Sequence, residues 1–286
     1  MATPSQNLDL TAKVSPVDDA RSSCPNDMRN VRGLPADGLS GLKKRAQIRI
    51  ATLNVGTMTG RSRELAEALK NCRIDIAWLQ ETKWKGAKTK EIGERYKLYY
   101  GTSSNRNGIG IVVSEKQWDN VTEIHRISDR LMAIKIKSGA MTLRIVSGYA
   151  PQTGCPDNAK DIFWESLDAH LRTVGPDEYI AIGGDLNGHV GSARGGYDAF
   201  HGGSGYGDCI LECAETHGMA VVNTFFRKRP SHLMTCANGG RATQIDYMLI
   251  RRRDLKLVKK QALKVWFQSR TDGDLQRCKT FKSAAK

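Results

Sequence analysis

The chain has 286 residues, 44 Lys and Arg against 30 Asp and Glu, a net charge of +14 and 40% apolar residues. That apolar content can build a sizeable core, which excludes wholesale disorder, and no run reaches the ~18–20 uninterrupted apolar residues of a membrane span. The first thirty residues lack the apolar stretch of a secretory signal, and seven cysteines without a CxxC pair fit neither a disulfide framework nor a zinc site of ordinary spacing. The expectation is a soluble, non-secreted protein, nuclear or cytoplasmic, with reduced thiols.

Residues 1–46 scatter Pro, Ser, Asn, Asp and Gly without an apolar period and read as a disordered arm. Residues 48–250 hold 25 basic and 22 acidic residues, whereas 251–286 hold twelve basic and three acidic ones, so the body is nearly neutral and the tail carries most of the excess. A positive surplus points to a polyanionic partner, nucleic acid before a membrane surface. The runs Lys43-Lys44-Arg45 and Arg251-Arg252-Arg253 read as solvated surface.

Short stretches rich in Ile, Val, Leu and Thr at 48–55, 74–79, 108–113, 131–137, 142–147, 179–183, 220–225 and 243–250 read as strands. After the first of them, Leu65, Ala68, Leu69 and Cys72 keep a helical spacing. Ala159, Ile162, Phe163, Ser166, Leu167 and His170 do so after the fifth, and a shorter helix is expected over 209–217 with Asp208 as its cap. The glycine-rich segment 195–207 reads as a long loop. So many strands with few helices exceed a simple βαβ sheet and point to two packed sheets with outer helices.

Polar residues recur where these strands run out. Asn54 follows an apolar run, as do Glu81, Tyr149, Asp185 and Asn187, and Asp246 lies within Gln244-Ile245-Asp246-Tyr247. One carboxylate at a strand end is commonly a turn or helix cap. Five strands with the same feature suit a rim at which oxygen ligands hold a hard divalent cation such as Mg²⁺, the chemistry of phosphate-ester hydrolysis.

The set Ala51-Thr52-Leu53-Asn54-Val55, Leu79-Gln80-Glu81-Thr82, Gly148-Tyr149-Ala150-Pro151, Gly184-Asp185-Leu186-Asn187 and Gln244-Ile245-Asp246-Tyr247 resembles the endonuclease/exonuclease/phosphatase superfamily in order and spacing. The wording of 79–84, 223–233 and 246–253 is similar to the apurinic-endonuclease-like domains of non-LTR retrotransposon polyproteins. The resemblance covers 47–257 and implies a four-layer α/β sandwich, DNase I-like, that cleaves a nucleic-acid phosphodiester with Mg²⁺ or Mn²⁺. By the same resemblance, Glu81 and Asn54 hold metal, Tyr149 hydrogen-bonds the scissile phosphate, Asp185 orients or deprotonates the attacking water, Asn187 steadies the nucleophile, and Asp246 orients a histidine. DNA is the implied partner of a monomer without a small-molecule cofactor.

Two departures accompany the match. Gly56 stands where many relatives carry an acid. The histidine that closes the family's last strand, some 20 residues beyond the Asp246 position, has no counterpart: the six histidines are at 125, 170, 189, 201, 217 and 232. Residues 258–286 therefore read as a basic, divergent tail with the last strand missing, and nuclease activity is expected to be impaired. The rival readings are a non-catalytic nucleic-acid-binding remnant and a phosphatase acting on an inositol phosphate or phospholipid.

Overall fold

The structure, a computed structural model, describes residues 48–103, 107–152, 154–188, 208–225, 236–238, 241–258 and 263–266. The arm, the loop expected at 195–207 and His189 lie outside them.

One sheet contains β1 (Ile50–Asn54), β2 (Ile76–Gln80), β3 (Gly86–Gly93), β4 (Tyr96–Thr102), β5 (Ile109–Ser114) and β14 (Leu263–Trp266), in the order β14-β1-β2-β5-β4-β3. The other contains β6 (Val121–Ser128), β7 (Leu131–Ser138), β8 (Met141–Tyr149), β9 (Tyr179–Asp185), β10 (Met219–Val221) and β13 (Asp246–Arg251), in the order β10-β13-β9-β8-β7-β6. A separate two-stranded ribbon pairs β11 (Cys236–Asn238) with β12 (Arg241–Thr243).

Side-chain parity explains the layering, because alternate strand residues face opposite sides. In β1 and β2, Ala51, Leu53, Ala77 and Leu79 pack with Leu65 and Leu69 of α1 (Ser62–Asn71) on the outer face. Ile50, Ile76 and Trp78 turn inward and meet Ile134, Ile145, Ala181 and Met248 of the second sheet. The opposite face of that sheet, including Val146, Ile182 and Leu249, buries Phe163 and Leu167 of α2 (Asp157–Arg172) and Ile210 and Ala214 of α3 (Asp208–Thr216). Helix, sheet, sheet and helices make the expected four-layer sandwich.

Trp78 is fully buried between the sheets. It fits because β9 offers Gly183 opposite it: a Cβ there would lie 2.2 Å from the indole ring. Gly184 has φ +142°, and a Cβ there would stand 1.9 Å from the Gly148 carbonyl, so only glycine lets β8 and β9 approach beside the site.

Three expectations are corrected. The segment read as a divergent tail holds a strand: β14 pairs in parallel with β1, Leu53 opposite Trp266. The 220–225 stretch is a three-residue strand followed by a 3-10 turn at Val222–Thr224. Of the basic run, Arg251 is a structural residue rather than free surface. Its guanidinium donates to the carbonyls of Pro176 (2.6 Å), Glu178 (3.2 Å) and Val174 (3.2 Å), tying β13 to the turn after α2.

Candidate active site at the strand-end rim

Parity and direction bring the singled-out residues together. β1 runs parallel to β2, and β8 parallel to β9, so four carboxyl ends can share a rim; β13 is antiparallel to β9, so its amino end joins them. Thr52 and Asn54 share the inward parity of Ile50, Gln80 that of Trp78, Tyr149 that of Ile145, Asp185 that of Ala181, and Asp246 that of Met248. The polar residues thus continue the inter-sheet core to the edge, where it opens.

Glu81 is the centre of the cluster. The Asn54 Nδ2 donates to Glu81 Oε1 at 2.8 Å, and the Tyr149 hydroxyl donates to the same oxygen at 3.2 Å. Lys83 Nζ lies 3.8 Å from the other carboxylate oxygen. Glu81 adopts φ +57°, an uncommon conformation for a residue with a side chain and one that clusters at functional sites. It aims the carboxylate back over the rim instead of along the strand.

Asn54 is oriented by its other end, which accepts the Gly56 N–H at 3.1 Å. The amide therefore presents its donor to the carboxylates, and its Nδ2 also restrains Asp185. Asn187, at φ +48°, donates its backbone N–H to Asp185 Oδ1 at 3.1 Å and its Nδ2 to the Ala150 carbonyl at 2.6 Å.

Asp185 and Asp246 are opposite one another across β9 and β13, and both are buried, at 2% and 4% exposure. Burial first, then the charges of Asp246 and Glu81, push the Asp185 carboxyl well above the usual aspartate range, while the hydrogen bonds from Asn187 and Asn54 oppose the shift. Burial and the nearby Glu81 and Asp185 raise the Tyr149 phenol as well, so it remains a neutral donor.

Sequence reading missed five neighbours. Thr52 Oγ1 lies 3.3 Å from Gln80 Oε1 and 3.4 Å from Asp246 Oδ1, giving Asp246 a hydroxyl contact from β1. Gln80 is fully buried and its Nε2 has no protein partner among the described residues. Arg130 donates to the Tyr149 carbonyl at 3.2 Å and to Asn107 Oδ1 at 3.3 Å, and its guanidinium stands 5.0 Å from the Tyr149 ring centroid. The signal for Thr52 and Gln80 was their parity with Asn54 and Trp78; Arg130 and Asn107 come from turns, where spacing carries no such signal. Asn223 holds the start of β13, donating to the Asp246 carbonyl at 3.0 Å and accepting from Met248 N–H at 2.9 Å.

The donor set is oxygen and amide throughout, which fits a hard divalent cation. Among the described residues no three carboxylate, imidazole or thiol groups close tightly enough to enclose a metal.

Comparison with known proteins bears on the family and the fold. A model of the endonuclease/exonuclease/phosphatase family matches residues 51–266, a span that includes β14. Craniofacial development protein 2 of Bos taurus is 26% identical over 215 residues, covering 71% of this chain and 36% of that protein. The Tragulus javanicus protein of that name is 25% identical, and this chain covers 37% of it; the chain thus spans little more than a third of these relatives. The endonuclease domain of TRAS1, a telomere-specific non-LTR retrotransposon, superposes with a TM-score of 0.54 at 16% identity, covering 80% of this chain and 93% of that domain. The Xenopus laevis APE2 catalytic domain gives 0.54 at 16% identity, covering 73% and 84%. At such identities the structural likeness shows the fold alone, a DNase I-like sandwich. With the family model spanning both sheets and every residue of the rim cluster, the chain belongs to the endonuclease/exonuclease/phosphatase family.

Proposed function

We propose that the chain is a Mg²⁺-dependent endonuclease domain of retrotransposon origin that binds DNA and nicks one strand, leaving a 3′-hydroxyl. The observation that supports this most is the convergence of Glu81, Asn54, Tyr149, Asp185, Asn187 and Asp246, from five strands, on one rim.

Glu81 would be the carboxylate ligand of the cation, with Asn54 restraining it and supplying its own amide oxygen if the amide turns. A bound Mg²⁺ would polarise a phosphoryl oxygen and stabilise developing negative charge. Tyr149, kept protonated, donates to a non-bridging phosphate oxygen. Asp185, whose raised proton affinity suits a base working near neutral pH, accepts a proton from the attacking water. Asn187 fixes the Asp185 carboxylate from its backbone N–H and keeps one side-chain N–H beyond the bond to Ala150. The apparatus acts chiefly by fixed donors arranged before the charge develops.

Asp246 is the weak point. Without a histidine after it, the chain lacks one transition-state donor, and loss of such a group typically lowers the rate on the order of 10²–10³-fold. Activity is therefore slow. A fluorescently labelled duplex incubated with Mg²⁺ tests the reading: the nicked product should be extended directly by a DNA polymerase. A product blocked at its 3′ end would overturn the assigned bond cleavage.

The absent histidine also favours a second reading, a nucleic-acid-binding remnant of the same fold. Under it the duplex is bound with steep salt dependence and remains intact after prolonged incubation with either Mg²⁺ or Mn²⁺.

A further inference from the structure

Between Glu81 and Glu91 the sequence places Lys83, Lys85, Lys88 and Lys90 and no acidic residue, and all four lysines are exposed. The stretch begins at the rim, directly after Glu81, and continues down β3, the outermost strand of its sheet. Register puts the head of β3 level with the site: Gly86 pairs with Thr102, Gly101 with Ile109, and Ile109 with Gln80. Three strand intervals separate β3 from β2, so the lysine edge starts about 14 Å along the rim from Glu81.

Lys88 and Lys90 are two residues apart on one strand and so project from the same face, about 7 Å from one another. That spacing is of the order of successive phosphates along a nucleic-acid strand. The edge is also held in place. Lys90 Nζ stands 4.7 Å from the Trp84 ring centroid, and Trp84 meets Tyr100 edge-on at 5.3 Å. From the second sheet, Arg126 donates to the carbonyls of Tyr100 at 2.9 Å and Lys88 at 3.3 Å, which pins the β3–β4 edge from behind.

We propose that this lysine edge is a phosphate track, binding the backbone of duplex DNA to one side of the cleaved bond without reading its sequence; the proposal rests on the nuclease reading of the rim. Lysines on an edge strand commonly serve to prevent edge-to-edge pairing. That purpose does not account for Lys83 and Lys85, which precede the strand and carry the same sign of charge back toward the site. Duplex DNA presents one negative charge per roughly 1.7 Å of axis, so a surface reaching about 14 Å from the reacting bond meets several phosphates. Ammonium groups on flexible stems make point contacts of the kind that position a duplex without specifying bases.

The test is the triple variant Lys85→Gln/Lys88→Gln/Lys90→Gln in the full chain, leaving Lys83 in place because it touches Glu81. Fluorescence anisotropy with a ~20-base-pair duplex in EDTA, over a series of NaCl concentrations, gives affinity and its salt slope without cleavage. The track predicts a slope shallower by roughly 2–3, from about 0.9 per phosphate contact, and affinity lowered on the order of tenfold or more near 0.1 M salt. The triple Lys→Arg variant should keep the wild-type slope. If the triple Gln variant does not fold, single K85Q and K88Q variants must each reduce the slope by about 0.9. Wild-type slope and affinity in the Gln variants overturn the track, as does a variant that binds DNA normally but self-associates. Failure of the wild-type protein to bind any duplex removes the nuclease reading itself, which distinguishes the two failures.

Discussion

Replacing Asn223 with alanine tests how the candidate site is held. Asn223 is 2% exposed, and both arms of its amide are spent on the backbone of β13: one donates to the Asp246 carbonyl at 3.0 Å, the other accepts from Met248 N–H at 2.9 Å. Alanine leaves one buried carbonyl and one buried N–H without these partners, each costing about 1–3 kcal/mol. The expected loss is about 2–4 kcal/mol, or roughly 5–15 °C in Tm at the ~2–4 °C per kcal/mol of a domain this size. Urea denaturation followed by tryptophan fluorescence reads the first quantity and calorimetry the second. Asn223→Asp keeps the acceptor for Met248 but turns an acceptor toward the Asp246 carbonyl, so it should be destabilising too. A loss below about 0.5 kcal/mol for the alanine variant, the range of ordinary surface substitutions, would refute the claim that this side chain anchors β13 and Asp246.

Asp185→Asn should stabilise the metal-free protein at neutral pH. The folded state holds the Asp185 proton more tightly than the unfolded chain does, so its ionisation destabilises the fold progressively as pH rises above the ordinary aspartate range. Melts in EDTA should show the variant more stable at pH 7.5 and level with wild type near pH 4; a variant less stable at pH 7.5 would contradict this. His170 behaves in the opposite sense. Burial, with Arg144 and His125 nearby, lowers its pKa to about 4, so stability is full above pH ~6.5 and falls between there and about 4. His170→Leu should flatten that part of the stability–pH curve, and an unchanged curve would count against the assignment. Gly183→Ala would force a Cβ to 2.2 Å from the Trp78 ring; overpacking of this kind costs about 1–3 kcal/mol, and an unaltered Tm would mean the sheets separate without cost.

Most of the candidate site was legible because each of its residues ends an apolar run: Asn54, Glu81, Tyr149 and Asp185 are polar residues placed where a buried strand reaches the rim. Their mutual distances were not legible, since they depend on β9 lying between β8 and β13. Of the strands that escaped notice, β4 has buried Tyr96, Leu98, Tyr99 and Tyr100, but three others lacked the apolar signature for physical reasons. β3 is an edge strand exposed over most of its length, and its Gly-Ala-Lys-Thr-Lys-Glu has no core face to announce it. β6 alternates, but register shifts at Val121/Glu123 and Arg126/Ser128 interrupt its period. β14 is a four-residue strand in a strongly basic segment, and pairing with β1 rather than its own composition defines it.

The central claim is that the rim is a hydrolytic site whose metal ligand is Glu81 and whose base is Asp185. Relaxation of supercoiled plasmid in Mg²⁺, compared among the wild-type, Glu81→Ala and Asp185→Ala proteins at equal folded concentration, tests it most directly. The account predicts slow nicking by the wild type that stops in EDTA and is lost in both variants. Nicking at the wild-type rate in either variant would contradict it.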